Sequence, residues 1–247
     1  MDEFALFKGH RYATVVLDAD TRQVLWVGEG RSREALRPFF EWLGPVRCAA
    51  IKAVAMDMNT AFDLEVQQHC PNARVVYDLF HVIAKYGREV IDRVRVDEAN
   101  RLKQDRPMRR VVKRARWLLL RNRENIPSPQ QTSLDELLTA NQSLMTVYIM
   151  KASLKELWQA NTAWQWRSAW RTWLKMAHDS EIEPLRKFAN KLKPYWRGIV
   201  ARVRWPMHTG QLEGINNRIK VMKRMAYGYR DSAFFFLKIK AAYPGNP

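Results

Sequence analysis

The chain has 247 residues, 47% of them hydrophobic, enough for one large domain or a domain carrying a sizeable insertion, which excludes a disordered polypeptide. Its 42 Lys and Arg against 25 Asp and Glu leave a net charge of +17, which attracts polyanions at long range and makes nucleic acid the leading partner. There is no apolar run near the roughly 20 residues of a membrane span, no signal peptide, and too few cysteines (Cys48 and Cys70) for a disulfide framework, so a cytoplasmic protein with small buried thiols is expected.

In chain order, "EFALF", "RYATVVLD" and "QVLWVGEG" read as strands of an antiparallel meander with a turn at "ADTR". "RSREALRPFFEWLGP" comes next as an amphipathic helix, with Ser32 as N-cap and Gly44-Pro45 as its stop. "IKAVAMDM" suits a strand buried on both faces, a helix runs from about Asn59 to Cys70, and "ARVVYDLF" returns as a strand. Antiparallel strands followed by a strand–helix–strand unit describe a mixed α/β sheet flanked by helices. From about Leu79 to Trp205 the period becomes helical, with "NRENIPSPQQTS" as the clearest linker.

In so basic a chain the acids stand out, because clustered carboxylates repel unless a cation neutralises them. Asp57 ends a buried strand, where α/β sites usually lie; the alternative is an N-cap, for which Asn59 competes. Asp78 and His81, in "DLFH", either start the next helix or stand beside Asp57 as support for a carboxylate or a phosphate. In "HTGQLEGINNRIKVMKRMAYGYRD", Leu212, Ile215, Ile219, Met222 and Ala226 define a buried stripe. Glu213 borders it, with Asn217 and Lys220 on one strip pointing outward. A surface network with neighbouring cations is the plain reading of Glu213. The sharper one is attack on a phosphodiester, where paired metal ions held by carboxylates activate the nucleophile and stabilise the leaving oxygen.

With "KGHRY", "AMDM", "DLFHV" and "LEGINNRIK" in that order, nearly the whole chain resembles bacterial insertion-sequence transposases of the DDE type, in the ISL (ISL-three) family. The resemblance implies a ribonuclease-H-like mixed sheet flanked by helices, with a large all-helical insertion before the final acidic helix. Residues 1–81 and 206–247 would form the catalytic core and residues 82–205 the insertion. It also implies that Asp2, Asp57 and Glu213 are the catalytic, metal-holding acids, with Asp18 as the fallback for the first, and that Asp78 and His81 form a supporting D-x-x-H element. Mg²⁺ or Mn²⁺, as two ions, would be the cofactor. Family members carry an upstream zinc-binding and helix-turn-helix region that recognises element ends; an N-terminally truncated product is therefore expected.

Two further stretches concern DNA directly. Trp166, Trp170 and Trp173 repeat at helical spacing and read as core, or as a platform for a base with Arg167 and Arg171 on phosphates. "RPMRRVVKRARWLLLRNR" reads as a solvated face or as a backbone-tracking contact. The residues expected on DNA are Asn217, Arg218, Lys220, Lys223 and Arg224, with Arg109, Arg110, Lys113 and Arg114. The resulting expectation is a transposase catalytic domain that cleaves element ends and transfers them to target DNA, associated with the nucleoid when bound. It would act as a homo-oligomer, without a membrane partner. A catalytically inactive DNA-binding remnant is the rival, and a helical RNA-binding protein the third possibility.

Overall fold

In the computed structural model, residues 1–7, 9, 11–207 and 209–246 are described; Lys8 and His10 of "KGHRY", and His208, lie outside them. The chain separates into two compact units, Met1–Asp78 with Arg204–Pro247, and Leu79–Val203.

The first unit opens with the antiparallel meander expected from the alternating apolar pattern: β1 (Asp2–Phe7), β2 (Arg11–Leu17) and β3 (Val24–Glu29), paired in the order β1-β2-β3. α1 (Arg33–Leu43) comes after them, capped by Ser32, whose side chain accepts from the Ala35 amide. Gly44, at φ 79°, ends it in a backbone region that a side chain would strain. Pro45 does not stop the chain there. It occupies the first turn of a short α2 (Pro45–Ala50), where its missing N–H costs nothing. β4 (Ala53–Met56), α3 (Thr60–His69) and β5 (Arg74–Tyr77) complete a strand–helix–strand unit whose two parallel strands pair as a sheet of their own, so among the described residues there are two small sheets where one mixed sheet was expected. β4 buries Val54 and Met56 and leaves Ala53 and Ala55 half-buried, so it is covered less evenly than its apolar sequence suggests.

The same unit closes with α13 (Gly210–Met225) and α14 (Ser232–Ala242). One hydrophobic cluster joins Phe4, Leu6, Ala13 and Val15 of the meander to Leu212, Ile215 and Ile219 of α13 and to Phe235 and Ile239 of α14. α3 is held against α1 differently. Glu65, completely buried, takes Arg33 at 2.8 Å, Arg37 at 3.4 Å and His69 at 3.2 Å, and the His69 ring stacks on Phe40 at 4.9 Å. Burial pushes the Glu65 carboxyl up, but Arg37 and Arg33 outweigh it and hold it below the usual range. Cys48 and Cys70 are buried free thiols, and burial beside Cys48 pushes Cys70 up to about 12.

The second unit is helical: α4 (Leu79–Tyr86), a π-helical turn (Gly87–Ile91), α5 (Asp92–Arg101), α6 (Arg106–Arg114), α7 (Arg116–Leu120), α8 (Ser128–Ala140), α9 (Gln142–Glu156), α10 (Ala163–Asp179), α11 (Glu183–Leu192) and α12 (Trp196–Ala201). The linker is shorter than expected, because Pro127 caps α8 and Pro129 fits its first turn. Lys151 of α9 is buried and donates to the Leu119, Leu120 and Arg121 carbonyls at 2.7, 3.3 and 3.0 Å, where α7 ends with unpaired acceptors.

Candidate active site

The end of β4 carries Asp57, half-buried. Asn59, not Asp57, caps α3, its side chain accepting from the Ala61 and Phe62 amides, so the capping reading of Asp57 is set aside. Asp2 opens β1 and is buried. The Met1 amine donates to the Ala55 carbonyl at 2.7 Å, which brings the start of β1 beside the end of β4. Burial pulls that amine down to about 6, while Asp2 and then Asp57 pull the other way. Arg31 is also within electrostatic reach of Asp57. Its guanidinium lies 2.9 Å from Glu3, which raises it above the usual arginine value, and 4.1 Å from the Tyr12 ring.

α13 is fixed to this edge at two points. Thr209, just before the helix, donates its N–H (3.0 Å) and its hydroxyl to the Asp78 carboxylate at the end of β5. One and a half turns into the helix, Asn216 is buried and its amide nitrogen donates to Asp2 Oδ2 at 2.7 Å, while Asp2 Oδ1 accepts from the Glu3 amide at 2.8 Å. Asn216 Oδ1 is buried with no partner among the described residues. Sequence periodicity missed both Thr209 and Asn216. An amide within the apolar stripe at 212, 215 and 219 was the available signal, since a buried amide needs a partner.

Glu213 lies in the first turn of α13, one turn before Asn216, and is exposed. Among the described ion pairs it has no part, which counts against the surface-network reading. The cations of this helix have other contacts: Lys220 donates to Asn217 at 3.3 Å, Lys223 to the Ala5 and Leu6 carbonyls of β1 at 2.9 and 3.1 Å, and Arg218 lies over the Tyr243 ring. Lys223 therefore ties helix to strand. Arg224 reaches back to the Lys220 carbonyl at 3.4 Å. Leu212, Ile215 and Ile219 are buried as the stripe requires, but Ala226 is exposed because the helix ends at Met225.

The other residues singled out are engaged locally or belong to the helical unit. Asp18 Oδ1 accepts from the Asp20 and Thr21 amides within its own turn. His81 belongs to α4 of the helical unit, its ring edge-on to Phe80 at 5.7 Å. On α6, Arg110, Lys113 and Arg114 are exposed and Arg109 half-buried, a one-sign face. Trp166, Trp170 and Trp173 are buried, as core packing predicts.

The donors fit a hard divalent cation in kind, because Asp2 and Asp57 offer carboxylate oxygens at adjoining strand ends. Among the described residues no three His, Cys, Asp or Glu side chains gather closely enough to hold one. No helix is long and apolar enough to cross a membrane among the described residues.

Acids at strand ends and cationic helix faces are carried on a mixed α/β fold. The chain belongs to the ISL3 family of DDE transposases, whose family model, described as transposase, matches residues 1–239. It is similar to the transposase for insertion sequence element IS1001 of Bordetella parapertussis, 62% identical over the whole chain and 61% of that relative. It is also similar to the transposases for insertion sequence element IS1557 of Mycobacterium tuberculosis strains CDC 1551 / Oshkosh and H37Rv, each 26% identical over 93% of this chain and 56% of theirs. The chain thus spans less than two thirds of the length of these curated relatives. No solved structure matches it significantly.

Proposed function

We propose that this chain carries the catalytic centre of an insertion-sequence transposase, cleaving DNA at element ends and joining the freed 3′-hydroxyl to target DNA. In this reading Asp2, Asp57 and Glu213 are the catalytic acids. Residues 1–81 and 206–247 form a ribonuclease-H-like core, and residues 82–205 a helical insertion. The observation that carries it is the meeting of β1, β4 and α13: Met1, beside Asp2, donates to the Ala55 carbonyl two residues before Asp57, and Asp2 is bound by Asn216, one turn along the helix from Glu213.

Asp2, Asp57 and Glu213 would hold Mg²⁺ or Mn²⁺. When bound, such ions supply Lewis acidity at the scissile phosphate and lower the pKa of the attacking water or hydroxyl. The chain's own residues prepare the place. Asn216 orients the Asp2 carboxylate, while Oδ1 accepts from the Glu3 amide. The Asp78–Thr209 pair sets where α13 begins and hence where Glu213 stands. Lys220, Arg218 and Asn217 offer exposed donors to the phosphate backbone along the same helix, and Arg110, Lys113 and Arg114 do so on α6. DNA binding in a homo-oligomer is part of this reading.

A second reading, an inactive DNA-binding remnant, is favoured by the lack of any three-acid cluster among the described residues. Nicking of supercoiled DNA in Mg²⁺ or Mn²⁺ separates the two. The catalytic reading expects nicking by the chain and its loss in Asp57→Asn and in Glu213→Gln, with salt-sensitive DNA binding retained. Binding without metal-dependent nicking selects the remnant.

A further inference from the structure

The helical unit contains a cleft that the strand-end acids do not use. It is open, about 420 Å³ in volume, and lined by Trp166, Arg167, Trp170, Arg171, Lys193 and Trp196. Tryptophans at 166 and 170 and arginines at 167 and 171 form parallel rows, one helical turn apart, on α10. Lys193 and Trp196 come from the turn and helix after α11.

Chemistry divides these side chains by role. Trp173 is a core anchor, its indole N–H donating to the Met150 carbonyl at 3.0 Å. Trp166 and Trp170 stack on each other at 5.1 Å and 20°, forming a rigid wall. The Trp166 indole nitrogen is buried with no partner among the described residues, although its residue is only 1% exposed, and such a donor usually finds an acceptor. Trp196 is half-buried, with the Arg197 guanidinium 5.8 Å from the centre of its ring. Around these rings stand three cations and no acid. Arg167 and Arg171 are exposed and enter none of the described ion pairs, and Lys193 contacts only the His178 ring, at 3.3 Å, among the described hydrogen bonds.

An aromatic wall and a cationic rim match the parts of a nucleotide: a flat base, and phosphates on either side. An acidic peptide would satisfy the cations but not the rings. We infer that this cleft holds a single unstacked nucleotide of DNA, its base against Trp196 and the Trp166–Trp170 wall and its phosphates on Arg167, Arg171 and Lys193. The inference rests on the proposal that the chain acts on DNA, and it adds a second binding site, for a base outside the duplex.

The test compares two labelled DNAs of equal length: a fully paired duplex, and the same duplex with one unpaired 2-aminopurine deoxynucleotide. The intact chain should bind the second about tenfold more tightly and quench its 2-aminopurine fluorescence. The paired substitution Arg167→Ala/Arg171→Ala, at exposed positions that spare the core, should abolish that preference and lower the salt slope for the bulged DNA by about 1.4 (two contacts at ~0.7 each). Trp196→Ala should also abolish the preference, and Trp196→Phe should restore most of it. Equal affinity for both DNAs, unquenched 2-aminopurine, or a preference surviving in both variants would overturn the cleft. Salt-sensitive binding of paired DNA without preference overturns the cleft alone, whereas failure to bind either DNA overturns it together with the proposed function.

Discussion

Substituting Asn216 by alanine isolates the contact on which the site geometry turns. Its amide nitrogen reaches Asp2 Oδ2 at 2.7 Å, and both residues are buried. A hydrogen bond to a charged group contributes about 1.5–3 kcal/mol, and here its loss leaves a buried carboxylate short of a donor. The Asn216 Oδ1 atom, already unpartnered, goes with the side chain and removes a smaller penalty. The expected cost is therefore about 2 kcal/mol at neutral pH. Urea unfolding followed by circular dichroism measures it, and a double-mutant cycle with Asp2→Asn separates the pair from its surroundings. The coupling should be about 1.5 kcal/mol. If it falls below about 0.5 kcal/mol, within the error expected for independent sites, Asn216 does not hold Asp2 and the positioning argument fails.

Glu65→Gln should cost about 2 kcal/mol in the same assay, less than a fully buried ion pair would, because its arginine partners are well hydrated. As its folded pKa lies below its unfolded one, this contribution is complete above the unfolded carboxyl pKa and fades as pH falls through the folded value, so wild type and variant should converge under acid. Lys151 has the opposite chemistry. Burial first, then Lys155, pulls its ammonium down to about 8. From there up to the ordinary lysine value the unfolded chain binds the extra proton, so this group's share of stability rises with pH, by about 1 kcal/mol per unit. Urea midpoints should show that rise in wild type and not in Lys151→Met; parallel profiles would mean that the carbonyls at the end of α7 hold the ammonium in its charged form.

Much of the fold was legible because it is local. The alternation in "RYATVVL" gives a strand, Ser32 and Asn59 are caps with their helices directly after them, and the apolar spacing of residues 212, 215 and 219 marks the face α13 buries. The errors are local as well. Proline reads as a stop, yet at Pro45 and Pro129 it starts helices, where its N–H is not needed. Ala226 continued a period that the chain did not, because a helix end is set by its cap and by the residues beyond it. The site was only half visible. An acid at the end of an apolar strand points to Asp57, but nothing near Asp2 announces an amide 214 residues away, and nothing around Lys151 announces three backbone carbonyls. Such pairings are set by tertiary packing, to which single-sequence periodicity is blind.

The hydrophobic cluster that joins the meander to α13 and α14 also constrains how the chain can be made. A ribosome finishes Phe4, Val15 and Val27 well before it reaches Ile219 or Ile239, with the whole helical unit coming between. At ~5–20 residues per second, the apolar face of a nascent three-stranded ribbon waits on the order of ten seconds or longer for its cover. During this interval, factors that shield nascent chains have an open face to occupy, while the Leu79–Val203 unit, whose core comes from its own consecutive helices, can fold as it emerges.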